Sequence, residues 1–176
     1  MTKLFLDFDG VVNFDGSRSA FHRNPDALGY LRRNHIYSYM GGFDINYSAE
    51  LVKKLNEMHS EFGFTWLWLS TWVDECVSLL DPKLGSNSDG FVAWNPHFGI
   101  TNANLTAERA RRKYAAIKEN YDGEPFIWID DEATVEFKAS DFAVPTLVIA
   151  PDAKFGLVAS DLVKIKEFLV ANGEVS

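Results

Sequence analysis

Two aspartates one residue apart close the short apolar run Lys3-Leu4-Phe5-Leu6-Asp7-Phe8-Asp9, and a glycine follows them. If the run continues as a strand, its period of two puts Asp7 and Asp9 on one face. Gly10 then lets the chain turn sharply just beyond them. Carboxylates at the carboxyl end of a buried strand lie where open α/β sheets bind their ligands. Two negative charges this close raise one another's pKa unless a cation compensates them. A hard divalent cation with oxygen ligands, Mg²⁺ above all, is the natural compensator. The pair is therefore a candidate for metal binding and nucleophilic attack, against the plainer alternative of an N-capping or turn pair.

The same pattern recurs further along. Phe126-Ile127-Trp128-Ile129 runs into Asp130-Asp131, and Phe64 to Leu69 runs into the hydroxyls Ser70 and Thr71. A hydroxyl there N-caps the helix that follows, and an anion at the same helix N-terminus is favoured in its own right. A basic cluster, Arg109, Arg111, Arg112, Lys113 and Lys118, crowds one helical segment. It reads either as a solvated basic face or as contacts to a polyanion.

The elements that must position these residues alternate. Ser48 is a plausible cap for a helix with Leu51, Val52, Leu55, Met58 and Phe62 at helical spacing, ended by Gly63. The apolar run from Phe64 predicts a central strand covered on both faces. Trp72 to Leu80 predicts a helix stopped by Asp81-Pro82, and Phe91 to Trp94 a short strand. Residues 95–104 are irregular, with His97 as a weak candidate for substrate contact. Thr106 caps a helix to Asn120, Thr146 to Ile149 predicts the fifth sheet strand, and Ser160 caps a closing helix to Asn172. Residues 13–47 form an insertion whose runs His35–Met40 and Phe43–Tyr47 flank Gly41-Gly42, a β-hairpin pattern. His59 lies beside an apolar helix face with no partner spaced for a metal. The whole predicts an α/β fold with a five-stranded parallel sheet flanked by helices, in one domain over residues 1–176.

Bulk properties narrow the classes. With 176 residues and 47% hydrophobic side chains the chain can bury a core. The lone Cys76 excludes an internal disulfide and a Cys-rich zinc site. A net charge of −8 argues against broad nonspecific nucleic-acid binding, while leaving room for a local basic patch. The opening residues do not form a signal peptide, and no run approaches the roughly 20 apolar residues of a membrane span. A cytoplasmic protein with no membrane partner is the expectation, its oligomeric state open.

Leu4-Phe5-Leu6-Asp7-Phe8-Asp9-Gly10-Val11 resembles the first motif of the haloacid dehalogenase (HAD) superfamily, and Trp128-Ile129-Asp130-Asp131 its fourth. Trp-Leu-Ser-Thr-Trp at 68–72, Trp-Ile-Asp-Asp-Glu at 128–132 and Ala-Pro-Asp at 150–152 before Gly156-Leu157 are similar to the small HAD domains of Swiss Army Knife RNA repair proteins and their stand-alone and phage relatives. The resemblance covers nearly the whole chain. It implies a HAD-like Rossmannoid fold with a hairpin flap or small cap over about 13–47, and an Mg²⁺-dependent phosphomonoester hydrolase. Asp7 would be the nucleophile that becomes an aspartyl-phosphate and Asp9 the acid and base, a residue the superfamily's dehalogenases lack. Ser70, with Thr71 as the alternative, would hold phosphoryl oxygens. Lys113, with Lys118 as the alternative, would neutralise the phosphoryl group. Asp7, Asp9 through its carbonyl, and Asp131 would hold Mg²⁺ with Asp130 in support. The implied substrate is a nucleotide or nucleic-acid end phosphate. The alternatives are a sugar or metabolite phosphate, a non-catalytic phosphate- or partner-binding module, and an acid-rich nuclease. No ligase or kinase motif is present, so a repair role would need partners.

Overall fold

The computed structural model describes residues 1–96, 105–133 and 141–173, and His97 lies outside them. Five parallel strands form the sheet: β1 (Lys3–Leu6), β4 (Thr65–Trp68), β5 (Gly90–Phe91), β6 (Phe126–Ile129) and β7 (Thr146–Ile149). Their spatial order is β5-β4-β1-β6-β7, so the first strand of the chain is the central one. In register, Phe5 pairs with Leu67 on one side and Trp128 on the other.

Alternation along the strands sorts the core into two layers. Leu4, Leu6, Trp66, Trp68, Ile127 and Ile129 face one side of the sheet, and Phe5, Phe126 and Trp128 the other. On the first side α2 (Ala49–Phe62) contributes Leu51, Val52, Leu55 and Met58, and α5 (Ala159–Asn172) contributes Leu162, Ile165 and Leu169. On the second side α4 (Leu105–Asn120) contributes Tyr114, Ala116 and Ile117. The fold is thus α/β with helices on both faces, as expected.

The insertion holds a short helix, α1 (Arg18–Arg23), and an antiparallel hairpin, β2 (Leu31–Ser38) with β3 (Gly41–Ser48). The turn is Tyr39-Met40, not Gly41-Gly42. Ser38 pairs with Gly41 and Tyr37 with Gly42, so both glycines are strand residues. Gly42 is small for a reason of packing: a Cβ there would lie 2.8 Å from His35 Nε2.

Four boundaries differ from the sequence reading, each for a physical reason. Asp81-Pro82 does not stop its helix. Cys76–Leu80 widens to a π-helical turn, and α3 (Asp81–Leu84) continues with proline in its first turn, where no N–H is needed. β5 is only two residues long, and Trp94 leaves the sheet to donate its indole N–H to Ser70 O at 3.0 Å. Thr106 is already inside α4. Ser160 is also inside its helix, because a residue far away in sequence supplies the cap: Asp26 accepts from Ser160 N at 3.3 Å and Ser160 Oγ at 2.5 Å, while its carbonyl takes Ala159 N at 2.9 Å. That contact ties the insertion to the last helix of the fold.

Candidate active site

Register decides which side chains meet. Leu6 pairs with Ile129, and Asp7 N donates to Ile129 O at 2.9 Å, so Asp7 and Asp130 come side by side just past the last pairs of β1 and β6. Asp7 follows Phe5 by two and Asp130 follows Trp128 by two, which turns both carboxylates toward the α4 side of the sheet. There Lys113 meets them. It is buried among Ala110, Tyr114, Ala116 and Ile117, and its Nζ donates to Asp7 Oδ2 and, at 2.7 Å, to Asp130 Oδ2. Burial opposes the charge on Lys113 most strongly, but Asp7 and Asp130 together outweigh it and hold the ammonium well above its ordinary pKa. Lys118 points elsewhere, pairing with Asp141 at 2.6 Å.

Asp9 stands across the tip in a different set of bonds. Phe8 turns back toward the core, and its carbonyl receives Val12 N and Asn13 N, each at 2.8 Å. That tight turn brings Asn13 Nδ2 to Asp9 Oδ1 at 2.7 Å, while Trp72 Nε1 reaches Asp9 Oδ2 at 2.8 Å. Burial first, and then the charge of Asp7, raise the Asp9 pKa against the lowering effect of its hydrogen bonds. Trp72 packs edge-on against Phe8 and against Phe43 of the hairpin, at 5.7 and 5.3 Å between centroids. Asn13 Oδ1 also receives Asn46 N at 2.8 Å, so the hairpin is braced against the turn that carries Asp9. Sequence reading placed Trp72 in a helix stripe and missed this role. The available signal was an indole N–H directly after a strand that ends at the site, since a buried indole needs an acceptor.

Asp131 lies over Gly10. A Cβ on that glycine would sit 2.4 Å from the Asp131 Cγ, and φ at Gly10 is +74°, so the position demands glycine twice over. Asp131 is pushed up to about 6 by burial first, then by Asp7 and Glu132. Asp130 is also raised to about 6 by burial and Asp7, with Lys113 opposing the shift and Glu132 N donating to its Oδ1 at 2.9 Å. Oxygens of Asp7, Asp130 and Asp131 all lie within 4.8 Å of one another. These donors are hard carboxylate oxygens, the acids outnumber the cations around them, and Asp131 has no ion pair among the described residues. The set fits Mg²⁺ or a cation like it.

Asp7, Asp9, Gly10, Thr71, Lys113 and Asp131 line a cavity of about 190 Å³, together with Asp15, Arg109 and Glu132. Ser70 is not in that lining. Its hydroxyl is buried and has no hydrogen-bond partner among the described residues, whereas Thr71 next to it faces the cavity. Arg109 precedes Lys113 by one helical turn and shares its face. Its buried Nε has no hydrogen-bond partner among the described residues. The hairpin itself contributes nothing to the lining; Asp15 is the insertion's residue there. The arrangement can therefore set a nucleophilic carboxylate, a second carboxyl that keeps its proton longer than usual, and two cationic side chains around one small anion.

A family model described as the HAD domain in Swiss Army Knife RNA repair proteins matches residues 3–162. No curated protein and no solved structure matches the chain.

Proposed function

The chain belongs to the family of HAD domains found in Swiss Army Knife RNA repair proteins, and on that premise we propose that it is a phosphatase that hydrolyses terminal phosphomonoesters of nucleotides or nucleic-acid ends. The observation that carries this reading is the clamp of Lys113 on Asp7 and Asp130, with Asp9 held by Trp72 and Asn13 across the same 190 Å³ cavity. An anion-sized space bounded by a buried carboxylate and a buried ammonium suits a phosphoryl group.

Asp7 attacks phosphorus in line with the ester oxygen. The P–O ester bond breaks, and Asp9 gives its proton to the leaving oxygen. Water then attacks the phosphorus of the aspartyl-phosphate, Asp9 takes the water's proton, and inorganic phosphate leaves with Asp7 restored. The raised pKa of Asp9 keeps a proton available for the first step. Phe8 N donates to Asp7 Oδ1 at 2.7 Å and fixes the carboxylate's rotamer. Lys113, Arg109 and the hydroxyl of Thr71 or Ser70 stabilise charge on the non-bridging oxygens. Asp7, Asp131 and the Asp9 carbonyl would hold Mg²⁺, with Asp130 in support, and the ion would supply neutralisation of the phosphoryl charge.

The test is phosphate release with Mg²⁺ and with EDTA, from phosphorylated oligonucleotides, mononucleotides and sugar phosphates, for the wild type and Asp7→Asn. Metal-dependent release that falls by about 10³-fold or more in Asp7→Asn is the expected result. An Asp7→Asn protein with undiminished turnover ends the covalent route. Release confined to sugar phosphates would favour a small-metabolite phosphatase, a second reading to which the small volume of the cavity lends support.

A further inference from the structure

A cavity of about 190 Å³ cannot enclose a nucleotide, since sites that take up a whole ligand run to roughly 300–1,000 Å³. Under the reaction proposed above, only the phosphoryl end enters and the remainder of the substrate lies on the surface outside. The surface on that flank differs in character from the rest of the molecule. Residues 13–47 hold four arginines, no lysine and three aspartates, a net +1 within a chain of net −8. The remaining three arginines all lie on α4, which also borders the cavity. Arginine, planar and weakly hydrated, is the cation suited to phosphodiesters and base faces. Among the described residues Arg18 and Arg23, on α1, and Arg32, on the hairpin face opposite to Arg33, form no ion pair, whereas Arg33 pairs with Asp44.

Among the described residues, the same segment carries the exposed aromatics. Tyr30, Tyr37 and Tyr39 are 80%, 77% and 69% exposed, and each belongs to the hairpin or its approach. The hairpin's inner face buries Ile36 and Ile45 and sets Phe43 against Trp72. Its outer face pairs Arg33 with Asn46, His35 with Asp44 and Tyr37 with Gly42. Asp44 accepts from Arg33 and, at 2.9 Å, from His35 Nδ1, which fixes both side chains on that face. The His35 and Tyr37 rings meet edge to face at 4.8 Å over the bare backbone of Gly42. This row is anchored to the chemistry: Asn46, opposite Arg33, bonds Asn13, and Asn13 bonds Asp9. At the far end, Tyr39 N donates to Glu75 at 3.0 Å and pins the tip to the segment after Trp72.

We infer that the outer face of the hairpin and its tip are a docking track for a single-stranded polynucleotide, which stacks bases on Tyr37 and Tyr39, meets Arg33 along its backbone and presents its phosphorylated end to Asp7. Exposed rings beside arginines are the combination that holds single strands without reading their sequence. A folded protein partner would call for a larger apolar patch than this polar, ring-studded ribbon.

Two measurements test it on the whole protein. Unphosphorylated, fluorescein-labelled 12-nucleotide single strands of RNA and of DNA are titrated by anisotropy, with an abasic sugar-phosphate strand as a control for charge alone. The variant is Tyr37→Ser with Tyr39→Ser, both exposed and outside the core. Wild type should bind the base-bearing strands, and the double variant should bind them about tenfold or more weakly while treating the abasic strand alike. Rising salt should weaken all of these complexes. In kinetics, the variant should raise KM for a phosphorylated 12-mer by a similar factor, leaving kcat and the hydrolysis of p-nitrophenyl phosphate unchanged. Equal binding of the 12-mers by wild type and variant overturns the track. Strand binding that depends on the tyrosines, with no turnover of any phosphate, upholds the track while sinking the proposed reaction. Turnover without strand binding does the opposite.

Discussion

Asp131 forms no ion pair among the described residues, and burial together with the charges of Asp7 and Glu132 outweighs the pull of Lys113 and resists its ionisation up to about pH 6. A carboxyl that holds its proton more tightly folded than unfolded makes the native state less stable as pH rises. For Asp131 that loss accrues between its ordinary value of 3.8 and about 6, and is complete above. Asp130, raised in the same direction, adds to the step. A divalent cation competes with those protons and relieves the repulsion once they are gone. Mg²⁺ should therefore raise the unfolding midpoint clearly near pH 7.5 and far less near pH 5, with affinity falling below pH 6 by about tenfold per unit for each proton the ion displaces. Asp131→Asn should flatten that dependence. Thermal melts and calorimetric titrations at the two pH values check it, and equal stabilisation at both would contradict it. At this scale the acids were legible because each ends an apolar run. Lys113 was legible as one of two lysines on its helix, and the phase of α4, which buries Ala110, Lys113 and Ile117 together, selects it. Trp72, Asn13 and Asp26 were not, because each acts on a partner that sequence spacing does not reveal. Trp72 and Asp9 are 63 positions apart.

Between the end of β4 and the π-helical turn, residues 71–74 form a tight turn, and Val73 sits in it at φ +47°. A β-branched residue in the left-handed region is strained by about 1–3 kcal/mol. The strain lies next to Trp72, whose indole must face Asp9 and whose ring must fit between Phe8 and Phe43. Val73→Gly relieves it, and the variant should be more stable by about 1 kcal/mol. The same change loosens the hold on Trp72, so turnover should fall while the melting temperature rises. Measuring kcat and the midpoint on one preparation decides it; a variant that loses stability would show that Val73 is unstrained or that its packing outweighs the strain. Elements of this kind escape sequence reading. A helix pattern over 72–80 is real, but it does not disclose that Val73 enters the left-handed region or that the turn from Cys76 is π-helical. Likewise the hairpin was legible from alternation, while its turn was misplaced because two glycines look like a turn and Tyr39-Met40 does not.

Across the molecule, the parallel α/β plan was legible in the repeated apolar runs, since strands buried on both faces lose their alternation. The strand order was not, because the central strand pairs with segments 62 and 123 positions further along the chain. β1 is flanked by β4 and β6, and its Leu4 and Leu6 are fully buried. Its amides and those of β6 should accordingly be the slowest to exchange with solvent, and those of the hairpin tip among the fastest, in native-state hydrogen exchange. Uniform protection of tip and centre would mean that the hairpin and the sheet open as one unit. The central place of β1 also has a meaning in time. A ribosome makes β1 before both of its neighbours, and Asp131 follows Asp7 by 124 positions, which is on the order of ten seconds at roughly 5–20 residues per second. Until β4 emerges both edges of that apolar strand are bare, and through most of the interval Asp7 has neither Lys113 nor Asp130 beside it. The cluster of Asp7, Asp130 and Asp131 thus comes together only once β6 has been made, and until then β1 keeps at least one edge unpaired.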